Sequence, residues 1–193
     1  PSTNIIISDC FMEEGHGAIV IGSEISCGVN NIEVCNCLFK KTDRGLRIKT
    51  RRGRGKLSIL DNIRFNNIEM DNVKHCFVIN MFYRCDPDGD SDYVKCKDVV
   101  PVDDRTPCIK NIFVSNIIAK EITGTSLFIY GLPEKHINNI IVKDSKFNYS
   151  KNRVNECPAM MSDPVEINNL GIFIENADNI DIKGNIFKGE NIN

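Results

Sequence analysis

The sequence predicts an all-β fold, a right-handed single-stranded parallel β-helix, because one short unit recurs along the whole chain. The unit reads Asn-Ile-x-Val-x-Asn-x-x-Phe in loose form, and its six copies begin at Asn4, Asn31, Asn62, Asn111, Asn139 and Asn179. A second apolar stretch follows the copies and reads, in chain order, GAIVIG, GLRIKT, CFVINMF, SLFIYG and LGIFIEN. Two short strands in a repeat whose shortest spacings are 27, 28 and 31 residues are typical of a solenoid with one coil per repeat.

Residue types within the unit predict strands rather than helices. The second position is isoleucine in all six copies, and the fourth is apolar: Ile7, Val34, Phe65, Val114, Val142 and Ile182. Side chains two positions apart share one face of a strand, so these residues can form ladders from coil to coil. One coil cannot bury its apolar residues alone, and we therefore expect the coils to stack around a common core.

Asparagine and aspartate mark the expected turns. The first position of every copy is Asn, and the sixth is polar or small: Asp9, Asn36, Asn67, Asn116, Asp144 and Gly184. Asn and Asp tolerate the left-handed backbone of tight turns. We also hypothesise that stacked Asn side chains hydrogen-bond along the solenoid axis. The leucine pattern of a leucine-rich repeat is absent, and so are the four-strand blades of a β-propeller.

The chain is expected to form one domain over residues 1–193, long enough for a sizeable core. Two spacings between copies are long, at 49 and 40 residues. They predict two inserted loops, at about 83–107 and about 148–169. Long loops on a rigid solenoid usually shape a binding cleft.

Composition argues against several kinds of partner. The net charge of −2 indicates neither nucleic acid nor a membrane, and no apolar run approaches the roughly 20 residues of a membrane span. Nine cysteines without framework spacing favour a reduced compartment but do not exclude export. No signal peptide is visible, so localisation stays open. Cys35 and Cys37 lack the second pair that a zinc site needs, and we expect neither metal nor cofactor.

Two motifs in the first third of the chain suggest chemistry. The first is Gly15-His16-Gly17 and the second is DRGLRIKT, beginning at Asp43. Aligning the repeats with Gly45 below Ala18 places Arg47 and Lys49 side by side on the solvent face of one strand. Gly22 then leaves space beside Lys49. Two neighbouring cations on a rigid strand are well suited to bind a carboxylate.

Basic residues are dense between positions 44 and 56, where seven occur. An Arg-Gly-Arg-Gly run can bind RNA, but stacking aromatic residues are missing from it, and a cleft wall for an anionic polysaccharide fits better. His75 and His136 precede strands, and we expect them at turns or on the surface. Tyr83 and Tyr130 end strands, where they contact sugar or form the edge of the core.

Two acidic groups have weaker claims to function. Asp103-Asp104 lies in an inserted loop rather than where a strand begins, and we do not expect it to be catalytic. Asp86, Asp88, Asp90 and Asp92 imitate a calcium loop. Its sixth position holds Ser91 instead of Gly and its twelfth holds Lys97 instead of Glu, which disfavours a specific calcium site.

The order and spacing of EGHGAIVIGSE and DRGLRIKTRRGRG resemble glycoside hydrolase family 28, the polygalacturonases, and VINMFY, CDPDGDSDYV and FIYGLPE resemble its bacterial branch. The resemblance implies a pectin-lyase-like solenoid that hydrolyses α-1,4 bonds between galacturonic acid units with inversion. It implies that His16 assists the catalytic carboxylates and that Arg47 and Lys49 hold the sugar carboxylate. Gly15, Gly17 and Tyr83 complete the expected substrate-binding set. Members of the family are often secreted or periplasmic.

One departure from the family pattern limits the expected activity. The family's acid and base are aspartates of an Asn-Thr-Asp motif and an Asp-Asp pair that precede the Gly-His-Gly motif. Before His16 this chain has only Asp9, Glu13 and Glu14. The resemblance therefore implies the C-terminal portion of a longer enzyme, truncated at its N-terminal end, inactive alone and monomeric at full length. We expect its open first coil to favour association. Loops that close one end of the cleft would favour exo action, which the sequence does not decide.

Two alternatives remain open. One is a non-catalytic galacturonan-binding β-helix module that keeps the Arg47 and Lys49 subsite. The other is a purely structural, adhesin-like solenoid, which gives no reason for the two motifs to occur together. Sequence upstream of the first coil distinguishes the enzyme from the binding module, because only the enzyme requires the missing aspartates.

Overall fold

The structure, a computed structural model, describes residues 1–165, 167 and 171–189. The chain winds into a right-handed parallel β-helix with two stacks of parallel strands, as the sequence predicts. The strands and helices run in the following order: β1 Ser2–Ser8, β2 Phe11–Glu13, β3 Ile19–Ile21, β4 Val29–Lys40, β5 Arg44–Lys49, β6 Ile59–Asp71, β7 His75–Asn80, α1 Asp86–Gly89, α2 Asp92–Lys95, β8 Cys108–Ile122, β9 Leu127–Tyr130, β10 Ile137–Lys143, β11 Lys146–Tyr149, β12 Ile172–Glu175, β13 Ala177–Asp181 and β14 Ile186–Lys188.

The first stack contains the repeated unit in the predicted register. Its main path runs β1-β4-β6-β8-β10-β13, and every neighbouring pair is parallel. The isoleucine at the second position pairs with its counterpart in the next coil along the whole stack, in the order Ile5, Ile32, Ile63, Ile112, Ile140 and Ile180. From Ile32 to Ile140 these side chains are buried and form one ladder of the core. This ladder confirms the repeat alignment.

The first asparagine of each unit adopts the left-handed backbone that the sequence predicts, but it lies within a strand of the first stack and not in a separate turn. The first Asn of each unit has a φ between 53° and 58°, a region that most residues avoid. Their side chains bond from coil to coil: Asn31 Nδ2 donates to Asn4 Oδ1 at 3.0 Å, and Asn62 Nδ2 donates to Asn31 Oδ1 at 2.8 Å. Asn139 Nδ2 donates to Asn111 Oδ1 at 2.6 Å. These contacts confirm the hypothesis of asparagine ladders along the axis.

The second stack runs in the order β3-β5-β7-β9-β12 and carries the candidate site. Its inward side chains, such as Leu46 and Ile48, are fully buried in the core. Its outward side chains are exposed at Val20 on β3 but buried at Val78 and Phe128 on later coils. On β9 the Phe128 ring stacks on the ring of Phe173 in the next coil, with the ring centres 5.0 Å apart.

The two inserted loops pack on the solenoid and on each other. The first, between β7 and β8, contains α1 and α2, and its Lys97 amine lies 3.5 Å from the ring centre of Phe82. The second follows β11 and meets the first where the Arg84 backbone N–H donates to the Met160 carbonyl at 2.9 Å. Positions 166, 168 and 169 of this predicted loop lie outside the described residues, as does Leu170. No helix in the described part of the chain is long and apolar enough to cross a membrane.

Candidate functional site

The turn that carries His16 is fastened to the coil below it by backbone hydrogen bonds. The Asp43 N–H donates to the Gly15 carbonyl at 2.9 Å, and the Ala18 N–H donates to the Arg44 carbonyl at 2.9 Å. The His16 side chain is 89% exposed, and its Nδ1 lies 2.9 Å from Asp43 Oδ2. The imidazole is therefore open to solvent but held on one side by a carboxylate.

Gly15 and Gly17, on either side of His16, favour glycine for different reasons. Gly15 has a φ of 95°, which favours glycine, and its surroundings are open. Gly17 faces Arg47, and a Cβ at Gly17 would lie 3.9 Å from the Arg47 Cβ. The same Cβ would lie only 2.7 Å from a methyl of Val20. Substrate binding by Gly15 and Gly17 stays a prediction.

Arg47 and Lys49 share the outer face of β5, in the register that the repeat alignment predicts. Ile19, Val20 and Ile21 of β3 pair with Leu46, Arg47 and Ile48. The expectation that both cations point into open solvent is wrong for Arg47, which is only 8% exposed. Lys49 is half-buried. Burial lowers the pKa of the Lys49 amine, and the neighbouring Arg47 charge lowers it further.

Tyr83 covers the two cations. Its ring centre lies 5.6 Å from the Arg47 guanidinium carbon and 4.5 Å from the Lys49 amine, which are cation–π distances. The amine also donates to the Tyr83 hydroxyl at 3.3 Å. Burial raises the pKa of that phenol. The ring thus supports both cations from the side of the first inserted loop, while its contact with sugar stays a prediction.

Tyr130 and Gly22 have structural surroundings. Tyr130 is buried with its ring centre 4.7 Å from that of Phe82, at the edge of the core. Gly22 has a φ of 98°, and a Cβ there would collide with the Lys49 carbonyl. The predicted free space beside Lys49 is therefore wrong, because the Lys49 carbonyl occupies the position that a side chain at Gly22 would take.

Most of the basic run binds its own acids, which corrects the predicted cleft wall. Arg51 pairs with Asp86 at 3.0 Å, and Arg52 pairs with Glu134 at 2.7 Å. The remaining contacts are those of Arg54 with Glu24 at 2.8 Å, Lys56 with Asp104 at 3.1 Å and Arg44 with Asp43 at 3.5 Å. Within residues 1–165, 167 and 171–189, neither Arg47 nor Lys49 has a carboxylate within 4.0 Å. A ligand carboxylate would meet two uncompensated cations here.

The acidic residues of the first loop serve these internal pairs. Asp103 binds Arg105, with the Arg105 Nε 3.0 Å from Asp103 Oδ2. Asp86 accepts the Gly89 N–H at 3.1 Å in addition to its bond with Arg51. Among the described residues, no three His, Cys, Asp or Glu side chains form a group that could hold a metal ion.

His75 does not lie on the surface, and that expectation is wrong. It is fully buried beneath the second inserted loop. The Thr125 N–H donates to His75 Nδ1 at 3.2 Å, and His75 Nε2 lies 3.3 Å from Glu156. Burial lowers the pKa of His75 to about 4. A turn-like local sequence gave no sign of a loop that folds over it from 81 residues away.

Asp43 is the residue that the sequence interpretation missed, although the repeat contained the signal. It follows His16 by 27 residues, the spacing of the first two copies. The alignment that places Gly45 below Ala18 therefore places Asp43 directly below His16. Lys74 lies below Asp43 in turn, because Arg44 pairs with His75 in the register of β5 and β7.

The fold and this site define a parallel β-helix protein with an exposed histidine and, on the neighbouring strand face, two cations that lack an acidic partner among the described residues. The family model "Glycosyl hydrolases family 28" matches residues 1–160, and the chain belongs to that family. It is 31% identical over 157 residues to a probable polygalacturonase of Arabidopsis thaliana, covering 68% of this chain and 31% of the relative. It is 32% identical over 131 residues to an exo-poly-alpha-D-galacturonosidase of Dickeya chrysanthemi, covering 65% of this chain and 21% of that protein.

A solved structure supports the same assignment. The hyperthermoactive exopolygalacturonase of Thermotoga maritima superposes with a TM-score of 0.62 at 26% identity, covering 76% of this chain and 30% of that one. The chain thus spans about a third or less of the length of each of these three proteins.

Proposed function

We propose that the chain is the C-terminal portion of a polygalacturonase-type glycoside hydrolase, which hydrolyses α-1,4-galacturonosyl bonds of pectin or oligogalacturonides with inversion. In this proposal Arg47 and Lys49 bind the carboxylate of one galacturonate, with Tyr83 beside them. His16 assists the carboxylates that transfer protons. Family membership supports the reaction class, and the names of the matched relatives support the substrate class.

The observation that carries the proposal is the uncompensated cation pair. Burying a charge is costly unless an opposite charge meets it, and the neighbouring arginines meet carboxylates of this chain. Arg47 and Lys49 have none within 4.0 Å among the described residues. A galacturonate supplies one carboxylate per sugar, and a guanidinium beside an ammonium matches it by charge and by hydrogen bonds.

The chemistry assigns catalysis to a longer protein. An inverting glycosidase needs one carboxylic acid for the leaving oxygen and a second carboxylate for water, roughly 6.5–9.5 Å apart. One imidazole with two cations can bind and orient a sugar, but it cannot perform both transfers. The chain covers 31% or less of the matched relatives' lengths, which is consistent with carboxylates supplied by other coils. We therefore expect negligible turnover of polygalacturonate by this chain alone.

Calorimetry of trigalacturonate binding tests the carboxylate subsite. We expect the wild-type chain to bind, and added salt to weaken binding because screening reduces the attraction. Arg47→Ala/Lys49→Ala should weaken binding at least about 100-fold, since each charge-assisted hydrogen bond contributes about 1.5–3 kcal/mol. Fully methyl-esterified trigalacturonate, which lacks the carboxylates, should lose a similar factor.

The matched control is Lys56→Ala, which removes an exposed cation of the same basic run that already pairs with Asp104. It should leave binding within about twofold. Equal affinity for the free acid and the ester, or equal losses in the control and the double variant, would contradict the subsite. Hydrolysis by the purified chain that disappears in His16→Ala would contradict the assignment of proton transfer to other coils.

The runner-up is a galacturonan-binding module without catalysis. It predicts the same calorimetric result, because it keeps the Arg47 and Lys49 subsite. The two proposals separate when the longer gene product is assayed, since only the enzyme hydrolyses polygalacturonate. Matched relatives named as polygalacturonase and exo-poly-alpha-D-galacturonosidase favour the enzyme.

A further inference from the structure

We propose that Asp43 is a positioning residue for His16, holding the imidazole in the Nδ1–H tautomer and leaving Nε2 as the ring nitrogen that meets a substrate or a partner carboxylate. The contact is specific, with Nδ1 lying 2.9 Å from Asp43 Oδ2. A carboxylate can only accept a hydrogen bond, so the proton of a neutral ring must lie on Nδ1. No described residue lies within hydrogen-bonding distance of Nε2.

The turn geometry fixes both partners before any ligand binds. The Asp43 N–H donates to the Gly15 carbonyl on the His16 side, and the His75 N–H donates to the Asp43 carbonyl on the other side. Asp43 is therefore clamped between two coils by its backbone. Its side chain points at an imidazole that is otherwise 89% exposed. An exposed histidine without such a contact would sample several rotamers and both tautomers.

Two cations beside Asp43 keep its carboxylate ionised and oriented. Arg44 lies 3.5 Å away and the Lys74 amine 4.0 Å away. The hydrogen bond from His16 lowers the pKa of Asp43, and both cations lower it further. Glu156 in turn lies 2.9 Å from the Lys74 amine, and among the described residues Asp43 is the side chain that accepts the hydrogen bond of His16.

The second inserted loop is part of this support. Glu156 belongs to that loop and holds Lys74, while the Pro158 carbonyl accepts the Arg44 Nε–H at 2.9 Å. Both cations that flank Asp43 are thus tied to residues more than 80 positions later in the chain. The second inserted loop therefore supports His16 indirectly, through Lys74 and Asp43.

The inference rests on the proposed function only for the role of Nε2 at the substrate. The hydrogen bond and the tautomer are properties of this chain and do not depend on that function. The other two histidines offer internal references. His75 accepts the Thr125 N–H at Nδ1, so its neutral ring carries the proton on Nε2. His136 Nδ1 lies 3.0 Å from Asp178 Oδ1, a second His–Asp contact far along the chain from the site.

The test is a long-range ¹H–¹⁵N NMR correlation spectrum of the labelled chain at a pH about two units above the ordinary histidine pKa, where free rings are neutral. Histidine-to-Gln variants assign the three rings. We expect the Nδ1–H pattern for His16 and the Nε2–H pattern for His75. In Asp43→Ala, His16 should shift to mostly Nε2–H, which exposed imidazoles prefer, while His75 and His136 keep their patterns.

The matched control is Asp178→Ala, which should move the His136 signals and leave His16 unchanged. Unmoved His75 signals report an intact fold in each variant, and Asp43→Leu, which also lacks an acceptor oxygen, replaces Asp43→Ala should the latter unfold. A wild-type His16 that is mainly Nε2–H, or one that does not respond to loss of the Asp43 carboxylate, would overturn the proposal. Failure of trigalacturonate binding with the Nδ1–H pattern intact would instead count against the proposed function.

Discussion

Two parts of one basic stretch, only a few residues apart, bury their charges in opposite ways. Arg52 is fully buried and forms a two-point ion pair with Glu134 at 2.7 and 2.8 Å. It also donates to the carbonyls of Tyr93, Cys96 and Asp98 in the first inserted loop. Arg47, on the neighbouring strand, is nearly as buried but has no carboxylate within 4.0 Å in the described part of the chain.

The difference separates cations that build the fold from cations available to a ligand. Arg52 satisfies its hydrogen bonds within the chain and fixes the loop that carries α1 and α2. Arg47 and Lys49 have an aromatic face, Tyr83, in place of an acid. An aromatic face stabilises a cation less than a buried carboxylate does, so an anion that binds there still gains most of the available electrostatic energy.

The largest expected effect follows from breaking the compensated pair. Glu134→Gln leaves the Arg52 guanidinium buried without its counter-charge and should lower the free energy of unfolding by about 3–5 kcal/mol. Urea unfolding followed by circular dichroism measures the change. A loss below about 1 kcal/mol would mean that the carbonyls of the first loop already compensate the charge.

The double variant Arg52→Met/Glu134→Leu is the control for this prediction. Removing both charges avoids an unpaired ion, so the double variant should be more stable than Glu134→Gln. Recovery should be incomplete, because the carbonyls of Tyr93, Cys96 and Asp98 lose their donor. A double variant as unstable as the single one would assign the loss to packing instead of charge.

The repeat explains why so much of the fold was predictable from sequence. Each position of the repeat recurs once per coil, so the pairing of Ile32 with Ile63 follows from counting residues. The same counting predicts that Arg47 follows Val20 in the second stack. Left-handed asparagines were predictable for the same reason, because turn chemistry is local. Local and repeated signals accounted for the strands, their register and the two cations of the site.

Long-range contacts account for what the sequence did not reveal. Glu134 lies 82 residues from Arg52, and no local pattern links the two. The loop that buries His75 interrupts the repeat, so counting coils does not place it. Asp43 was within reach of the alignment, because it follows His16 by the same 27 residues that separate the first two copies of the repeat. Insertions, and not coils, decide which of the chain's charges are covered.

His75 is a third buried titratable group, and it differs from Arg52 and Arg47 because it is neutral in the folded chain. Burial lowers its pKa from 6.5 to about 4. Between these values the unfolded chain binds a proton that the folded chain does not, so the free energy of unfolding rises with pH across this window. On acidification from pH 6.5 to 4 we expect up to about 3 kcal/mol of stability to be lost through this group.

Urea unfolding at a series of pH values measures this dependence. His75→Gln should flatten the profile between pH 4 and 6.5, whereas His136→Gln, which changes a partly exposed histidine, should not. Some slope will persist in His75→Gln because the remaining contact with Lys74 lowers the pKa of Glu156, and the stabilisation from this contact is lost as the pH falls. Identical profiles for His75→Gln and the wild type would show that the imidazole gains its proton without unfolding.

The smallest expected effect on the free energy of unfolding comes from Lys49, one of the two cations without an acidic partner among the described residues. Lys49→Met removes an amine that has no acidic partner among the described residues and whose nearest cation is repulsive. The lost hydrogen bond to Tyr83 and the lost cation–π contact oppose the relief of burial and repulsion. We therefore expect the free energy of unfolding to change by less than about 1 kcal/mol, while trigalacturonate binding weakens strongly. A loss of stability like that of Glu134→Gln would place Lys49 among the cations that build the fold, leaving Arg47 alone as the cation available to a ligand.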